Sequence, residues 1–204
     1  MKLYYTNGVC SLAVRIILNE TKTTFEAEAV DLKTKQTATD KNFLDINPKG
    51  AVPALQLDNG EILTEVAVIL QYLADATNAT QLFPQIGDLK RYRVLELLNY
   101  IATEIHKSFG PFFNPAINQE IKDQVFLPLL YKKLDYINTK LMYTPYLVGD
   151  SFTLPDAYFF VTLRWAKSLN LNLSKFPAIM SYVAELDSRP SITRSLAEES
   201  LSTK

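Results

Sequence analysis

Residues 4–20, Tyr-Tyr-Thr-Asn-Gly-Val-Cys-Ser-Leu-Ala-Val-Arg-Ile-Ile-Leu-Asn-Glu, decide how the chain begins to fold. Lys2–Tyr5 reads as a strand, Asn7-Gly8 as a turn, and Ala13, Ile16 and Ile17 recur at helical spacing over Ser11–Glu20. A second strand pattern at Phe25–Val30 completes a β-α-β unit. The turn carries Cys10, the only cysteine in 204 residues, where strand gives way to helix. A helix N-terminus offers unpaired N–H groups and partial positive charge, so a thiol there is expected to shift toward its thiolate. The plain alternative is a small buried hydrophobe. A dithiol redox pair needs a second Cys where Ala13 stands, so only single-thiol exchange stays open.

Downstream, Ala54–Leu57 and Ile62–Leu63 flank Asp58-Asn59-Gly60, whose Asn-Gly pair predicts an antiparallel hairpin. Val66, Ile69, Leu70 and Leu73 then mark one apolar face of a helix ending near Ala76. The order is β-α-β, a loop, then β-β-α. Thr77–Gly87, with Asn78, Pro84 and Gly87, reads as a linker. From Asp88 on, strand signals give way to helical stripes such as Val94, Leu98, Ile101, Ile105 and Leu130, Leu134, Ile137, Leu141. The expected architecture is therefore α/β plus all-α, with an N-terminal domain over 1–78 and a helical domain over 88–204.

Composition narrows the function. With 48% hydrophobic and 21% charged residues the chain can bury a substantial core, and a net charge of -1 gives no footprint for nucleic acid or an anionic membrane. No run approaches the ~20 apolar residues of a bilayer crossing and no secretory leader pattern opens the chain, so a cytoplasmic location is expected. One Cys and one His do not make a zinc cage, and no metal is expected.

Three landmarks then stand together: the thiol at the first helix, the loop Asn47-Pro-Lys-Gly-Ala-Val-Pro-Ala-Leu55, and Leu63-Thr-Glu-Val-Ala-Val-Ile-Leu-Gln-Tyr-Leu73. The helical half adds Leu97-Leu-Asn-Tyr-Ile-Ala-Thr-Glu-Ile-His106, in which Asn99, Thr103 and His106 fall at i, i+4 and i+7 and share one face of a regular helix. Over essentially its whole length the chain resembles cytosolic glutathione transferases, most closely the bacterial beta class. The resemblance implies a thioredoxin-like N-terminal domain, a helical-bundle C-terminal domain contributing the electrophile side, a homodimer, and glutathione as co-substrate. It also implies a cis bond before Pro53, so that the Val52 backbone pairs with the cysteinyl backbone of glutathione. In the same way Glu65 takes the ligand's α-amino group, the Val66 N–H its α-carboxylate, and Lys35 its glycine carboxylate. His106 is placed at the glutathione sulfur beside Cys10, Glu104 and Ile105 close the site, and Phe109, Pro111, Phe112 and Phe113 lie where the second substrate is expected. Most relatives carry a small residue, often Ser, where this chain has Val66; the backbone donor survives, a hydroxyl contact does not, and weaker glutathione binding is expected.

The reading is a glutathione transferase that joins the glutathione thiolate to small hydrophobic electrophiles, the chemistry the family uses in detoxification. Two other readings use the same residues: a thiol transferase or reductase working through a Cys10 mixed disulfide, and a non-catalytic binding or dimerisation module. Thr153-Leu-Pro-Asp156 reads as a capping box opening a long apolar helix, so Asp156 is expected to be structural rather than catalytic.

Overall fold

In the computed structural model, which describes residues 1–201, the chain divides into two units. The first comprises Met1–Thr80 and the segment from Ser188 onward; the second is Gln81–Asp187. The division after Thr80 falls inside the linker expected over Thr77–Gly87.

The first unit is built on a five-stranded sheet of order β3-β2-β1-β4-β5. β1 (Lys2–Tyr5) runs parallel to β2 (Glu26–Asp31), with α1 (Ser11–Glu20) as the crossover that a parallel pair requires. β4 (Ala54–Gln56) and β5 (Ile62–Thr64) form the antiparallel hairpin, closed by Gly60 at φ +88°, a left-handed backbone that favours glycine. Alternation along β1 decides the two faces. Tyr5 lies under the guanidinium of Arg15 on α1, 4.3 Å from ring to Cζ. Tyr4 faces the other way and packs with Val30, Phe43, Val52 and Ala54. α2 (Val66–Ala76) buries the expected Val66, Ile69, Leu70 and Leu73 and packs on α1.

Three features depart from the sequence reading. The loop after β2 contains a further short strand, β3 (Gln36–Thr37), paired antiparallel with Val30 and Asp31, and a 3-10 turn at Phe43–Asp45. Two polar residues carry no periodicity, so β3 is visible only through its partner. The last helix, α9 (Pro190–Leu201), belongs to the first unit and not to a helical domain running over 88–204. It buries Ile192 and Ser195 and packs on α1. Arg189 forks onto Glu20, Asn19 donates to Ser195 and Glu198, and the buried Arg15 reaches Glu198 at 3.3 Å. A nearly inaccessible guanidinium requires a carboxylate, and α9 supplies it.

The second unit is helical: α3 (Leu89–Tyr100), α4 (Lys107–Phe113), the single turn α5 (Gln119–Ile121), α6 (Leu127–Leu141), α7 (Leu154–Ser168) and α8 (Pro177–Asp187). Val94, Leu98, Ile101, Ile105, Leu130, Leu134 and Ile137 are all inaccessible, as their stripes require, while Leu141 is half-buried. α7 is the core helix, buried from Leu154 through Leu163. Asn138 on α6 caps α8 from a distance, its Oδ1 accepting from the N–H groups of Ala178 and Ile179. Among the described residues no helix is long and apolar enough to cross a membrane.

Candidate active site

The Cys10 turn is shaped by its own backbone. Gly8 sits at φ +73° with nothing within 4 Å of an added Cβ, so glycine is needed there for its conformation and not for space. Ser11, fully buried, bridges the turn: its Oγ accepts from the Thr6 N–H and donates to the Thr6 carbonyl. The Gly8 N–H donates to Glu199 on α9 at 2.9 Å. Cys10 caps α1 in helical conformation and its Sγ donates to the Val52 carbonyl at 3.3 Å.

The thiol is not poised as an anion. Burial pushes the Cys10 pKa up to about 12, and the charge of Glu65 pushes the same way. The backbone N–H groups of Cys10 and Ser11 do lower it, as the helix end predicts, but they are outweighed. The sequence identifies the correct helix terminus but not the burial of the thiol, nor the charge of Glu65 beside it.

Val52 is joined to Pro53 by a cis peptide bond and is buried. The loop before it is held by Asn47, whose Nδ2 donates to the Ala51 carbonyl at 2.7 Å while its Oδ1 accepts from the Lys49 N–H. Asn47 is 3% exposed and shapes the loop, a role that its place in the sequence does not reveal. Gly50 lies at φ +61°, a backbone that favours glycine, and an added Cβ there meets Leu44 at 3.0 Å and the Lys35 stem at 3.4 Å, so a side chain would be strained and Leu44 would have to give way. Lys35 donates to the Gly50 carbonyl at 2.7 Å.

Glu65 links β5 to α2 at φ +68°, where a residue with a Cβ is strained by about 1–3 kcal/mol. Its carbonyl accepts from Val68 and Ile69, opening the helix, and its carboxylate points into solvent. There it meets Lys49 at 2.7 Å, which also donates to Thr64. Both charges are more than half exposed, so this ion pair contributes little and exchanges readily for another cation. Val66, first in α2, is buried.

The helical unit carries the other assigned residues. Between α3 and α4 the helix widens into a π-helical stretch over Ile101–His106. Bonding from i to i+5 takes an extra residue per turn, so the phase of a regular helix does not carry through and the expected common face breaks up. Asn99 and Thr103 are exposed and spend their side chains on the carbonyls of Leu95 and Asn99. His106 is half-buried, its Nδ1 2.6 Å from the hydroxyl of Tyr158. Glu104 pairs with Lys133 of α6 at 3.0 Å, and Ile105 is a core residue. Of the expected electrophile residues, Phe109 and Phe112 are buried and Phe113 is 53% exposed. Phe109 and Phe113 meet Trp165, which the sequence reading did not single out: its ring lies 4.7 Å from His106, 5.6 Å from Phe109 and 6.0 Å from Phe113, and Phe112 packs on Phe109 at 6.5 Å. Its being the only tryptophan was the available signal, but nothing local joins it to a helix 59 residues earlier.

Asp156 is the structural carboxylate expected. It is wholly buried and accepts from the Thr153 N–H and Oγ, from the Leu147 N–H and from the Tyr182 hydroxyl. Burial pushes its carboxyl above the usual range, with those four donors pulling the other way. Among the described residues no group of three or more His, Cys, Asp or Glu is arranged to hold a metal ion.

Comparison with known proteins identifies the family. Residues 9–76 match the glutathione S-transferase N-terminal domain family and residues 100–190 the glutathione S-transferase C-terminal domain family. Glutathione S-transferase GstA of Escherichia coli O157:H7 is 42% identical, covering 98% of this chain and 100% of the relative. A sphingomonad glutathione S-transferase solved in complex with glutathione superposes with a TM-score of 0.94 at 38% identity, covering 98% of this chain and 100% of that one. A bacterial beta class glutathione S-transferase of Sphingomonas chungbukensis gives 0.92 at 38% identity, covering 98% of each chain. With both domain families matched in order and a relative aligned from end to end, the chain belongs to the glutathione S-transferases and is similar to their bacterial beta class.

Proposed function

We propose that this glutathione transferase holds glutathione on its first unit and joins the ligand's sulfur to a small apolar electrophile. The observation that carries the reading is the convergence of Cys10, Val52 and Glu65: the thiol bonds to the Val52 carbonyl, and the Glu65 carboxylate lies near enough to raise the thiol's pKa. Glutathione then lies along the Val52 backbone like an added strand. Its α-amino group displaces Lys49 from Glu65, its α-carboxylate meets the N–H of Val66, and Lys35 answers its glycine carboxylate. We assign His106 to the polar contacts of the reaction and the rings around Trp165 to the apolar part of the electrophile. Asn99, Thr103, Glu104 and Ile105 are assigned to glutathione binding through the family resemblance alone. The working form is taken to be a cytoplasmic homodimer.

In this mechanism the ligand's thiol gives its proton to solvent and the resulting thiolate attacks carbon. A sulfur–carbon bond forms while a leaving group departs with its electron pair. Cys10 stays protonated throughout. A neutral thiol is a donor, and turning its S–H from Val52 to the ligand sulfur gives the thiolate a hydrogen bond. The mixed-disulfide reading needs Cys10 as a thiolate, which its high pKa opposes.

Calorimetric titration with glutathione tests the binding mode. Glu65→Gln is expected to raise Kd roughly 10- to 100-fold, since a hydrogen bond to a charged group is worth about 1.5–3 kcal/mol. An unchanged Kd removes Glu65 from the site.

A further inference from the structure

We infer that Tyr158 is a positioning residue for His106, holding its ring in the tautomer that carries the proton on Nε2. The inference rests on the assignment of His106 to the reaction. Tyr158 lies on α7, is 3% exposed, and presents its hydroxyl to His106 Nδ1 at 2.6 Å. His106 closes the π-helical turn Ile101–His106, while the side chains of Asn99 and Thr103 bond to carbonyls of their own helix.

The direction of the hydrogen bond follows from the two groups. The bare nitrogen of a neutral imidazole is a stronger acceptor than a phenol oxygen, and a phenol is a good donor, so O–H···Nδ1 is the favoured arrangement. With Nδ1 accepting, the single proton of the neutral ring sits on Nε2. The ring then offers an N–H donor, the group that stabilises a sulfur anion, where the opposite tautomer offers a lone pair that repels it. Trp165 supplies the second restraint. Its ring meets the imidazole edge-on at 4.7 Å and 72°, which limits rotation of the ring about its hydrogen bond. Buried partners on one core helix thus fix both the proton and the plane of a side chain that lies on another.

His106 is the only histidine in the chain, so long-range 1H–15N correlation spectra read its tautomer without assignment ambiguity. Wild-type enzyme at pH 8 is expected to show the Nε2–H form alone, and Tyr158→Phe a mixture of the two. The same variant is expected to lose roughly tenfold in kcat for conjugation of an aryl halide, about what one net hydrogen bond is worth, with the KM for glutathione unchanged. His106→Ala should lose at least as much. An Nδ1–H ring in the wild type, or an unchanged tautomer in Tyr158→Phe, overturns the inference. So does a mixed tautomer with undiminished kcat while His106→Ala is impaired. If both variants keep full kcat, the underlying assignment of His106 has failed and the inference falls with it. Should Tyr158→Phe unfold, Trp165→Phe gives the second reading: the tautomer is kept, and kcat drops through the loosened ring plane. Full kcat there, or loss of the tautomer, counts against the two-restraint arrangement.

Discussion

Asp156→Ala is expected to lose about 4 kcal/mol of folding stability, a large part of the 5–15 kcal/mol typical of a whole protein. The alanine removes the shared acceptor of four donors: two from Thr153, one from Leu147 and one from Tyr182. Each buried donor left unpaired costs about 1–3 kcal/mol, although hydroxyls recover part of this by turning to other acceptors. Losing the cap of α7 adds about 1 kcal/mol. The effect is large because α7 is the helix on which the second unit packs, buried along most of its length. Asp156→Asn keeps one acceptor oxygen and turns an NH2 toward two donors, so about half of the loss is expected. Urea unfolding followed by circular dichroism measures both. A loss below about 1 kcal/mol for the alanine variant contradicts the structural role, and a fully folded variant without activity would point to chemistry instead.

The second large effect concerns Cys10. At pH 7.5 a thiol of pKa about 12 has some thousandfold less thiolate than one at its ordinary value of 9.0. The rarer thiolate is intrinsically more nucleophilic, with a Brønsted slope of about 0.4–0.5, which recovers roughly twentyfold. Alkylation by iodoacetamide is therefore expected to run on the order of fifty times slower in the folded protein than in the urea-unfolded chain. The folded rate should still rise tenfold per pH unit above pH 9, where the unfolded thiol has begun to level off. The linkage has a definite sign. Between 9.0 and about 12 the folded state keeps a proton that the unfolded state loses, so the stability contribution of this thiol is intact below pH 9 and is lost as pH rises through that window. Fast alkylation with a plateau below pH 8 would falsify the protonated assignment and revive the mixed-disulfide mechanism.

The sequence carried the fold through patterns that act locally. The Asn59-Gly60 hairpin and the α2 stripe are each contained in about a dozen residues, the β-α-β start in one continuous stretch from Lys2 to Asp31, and the structure has all three. What depended on distant partners was less visible. Cys10 was read from its helix end, but its pKa is decided by burial and by Glu65, which lies 55 positions along the chain. The row of Asn99, Thr103 and His106 assumed an uninterrupted regular helix; the π-helical turn has no compositional mark, and the phase of a regular helix does not run through it. Residues 190–201 were included in the helical domain over 88–204, because nothing within them shows that Ser195 and Glu198 answer residues of α1. Glu65 illustrates the intermediate case. Its place at the head of α2 was legible, while its left-handed backbone and its ion pair with Lys49 were not.

The central claim, that the ligand's sulfur and not the protein's is the nucleophile, is tested most directly by steady-state conjugation of glutathione to an aryl halide with wild-type enzyme and Cys10→Ala side by side. Turnover is expected from both, the variant within roughly tenfold of wild type, the worth of one donated hydrogen bond. Conjugation absent from the wild type, or falling to the uncatalysed rate when the thiol is removed, would contradict it.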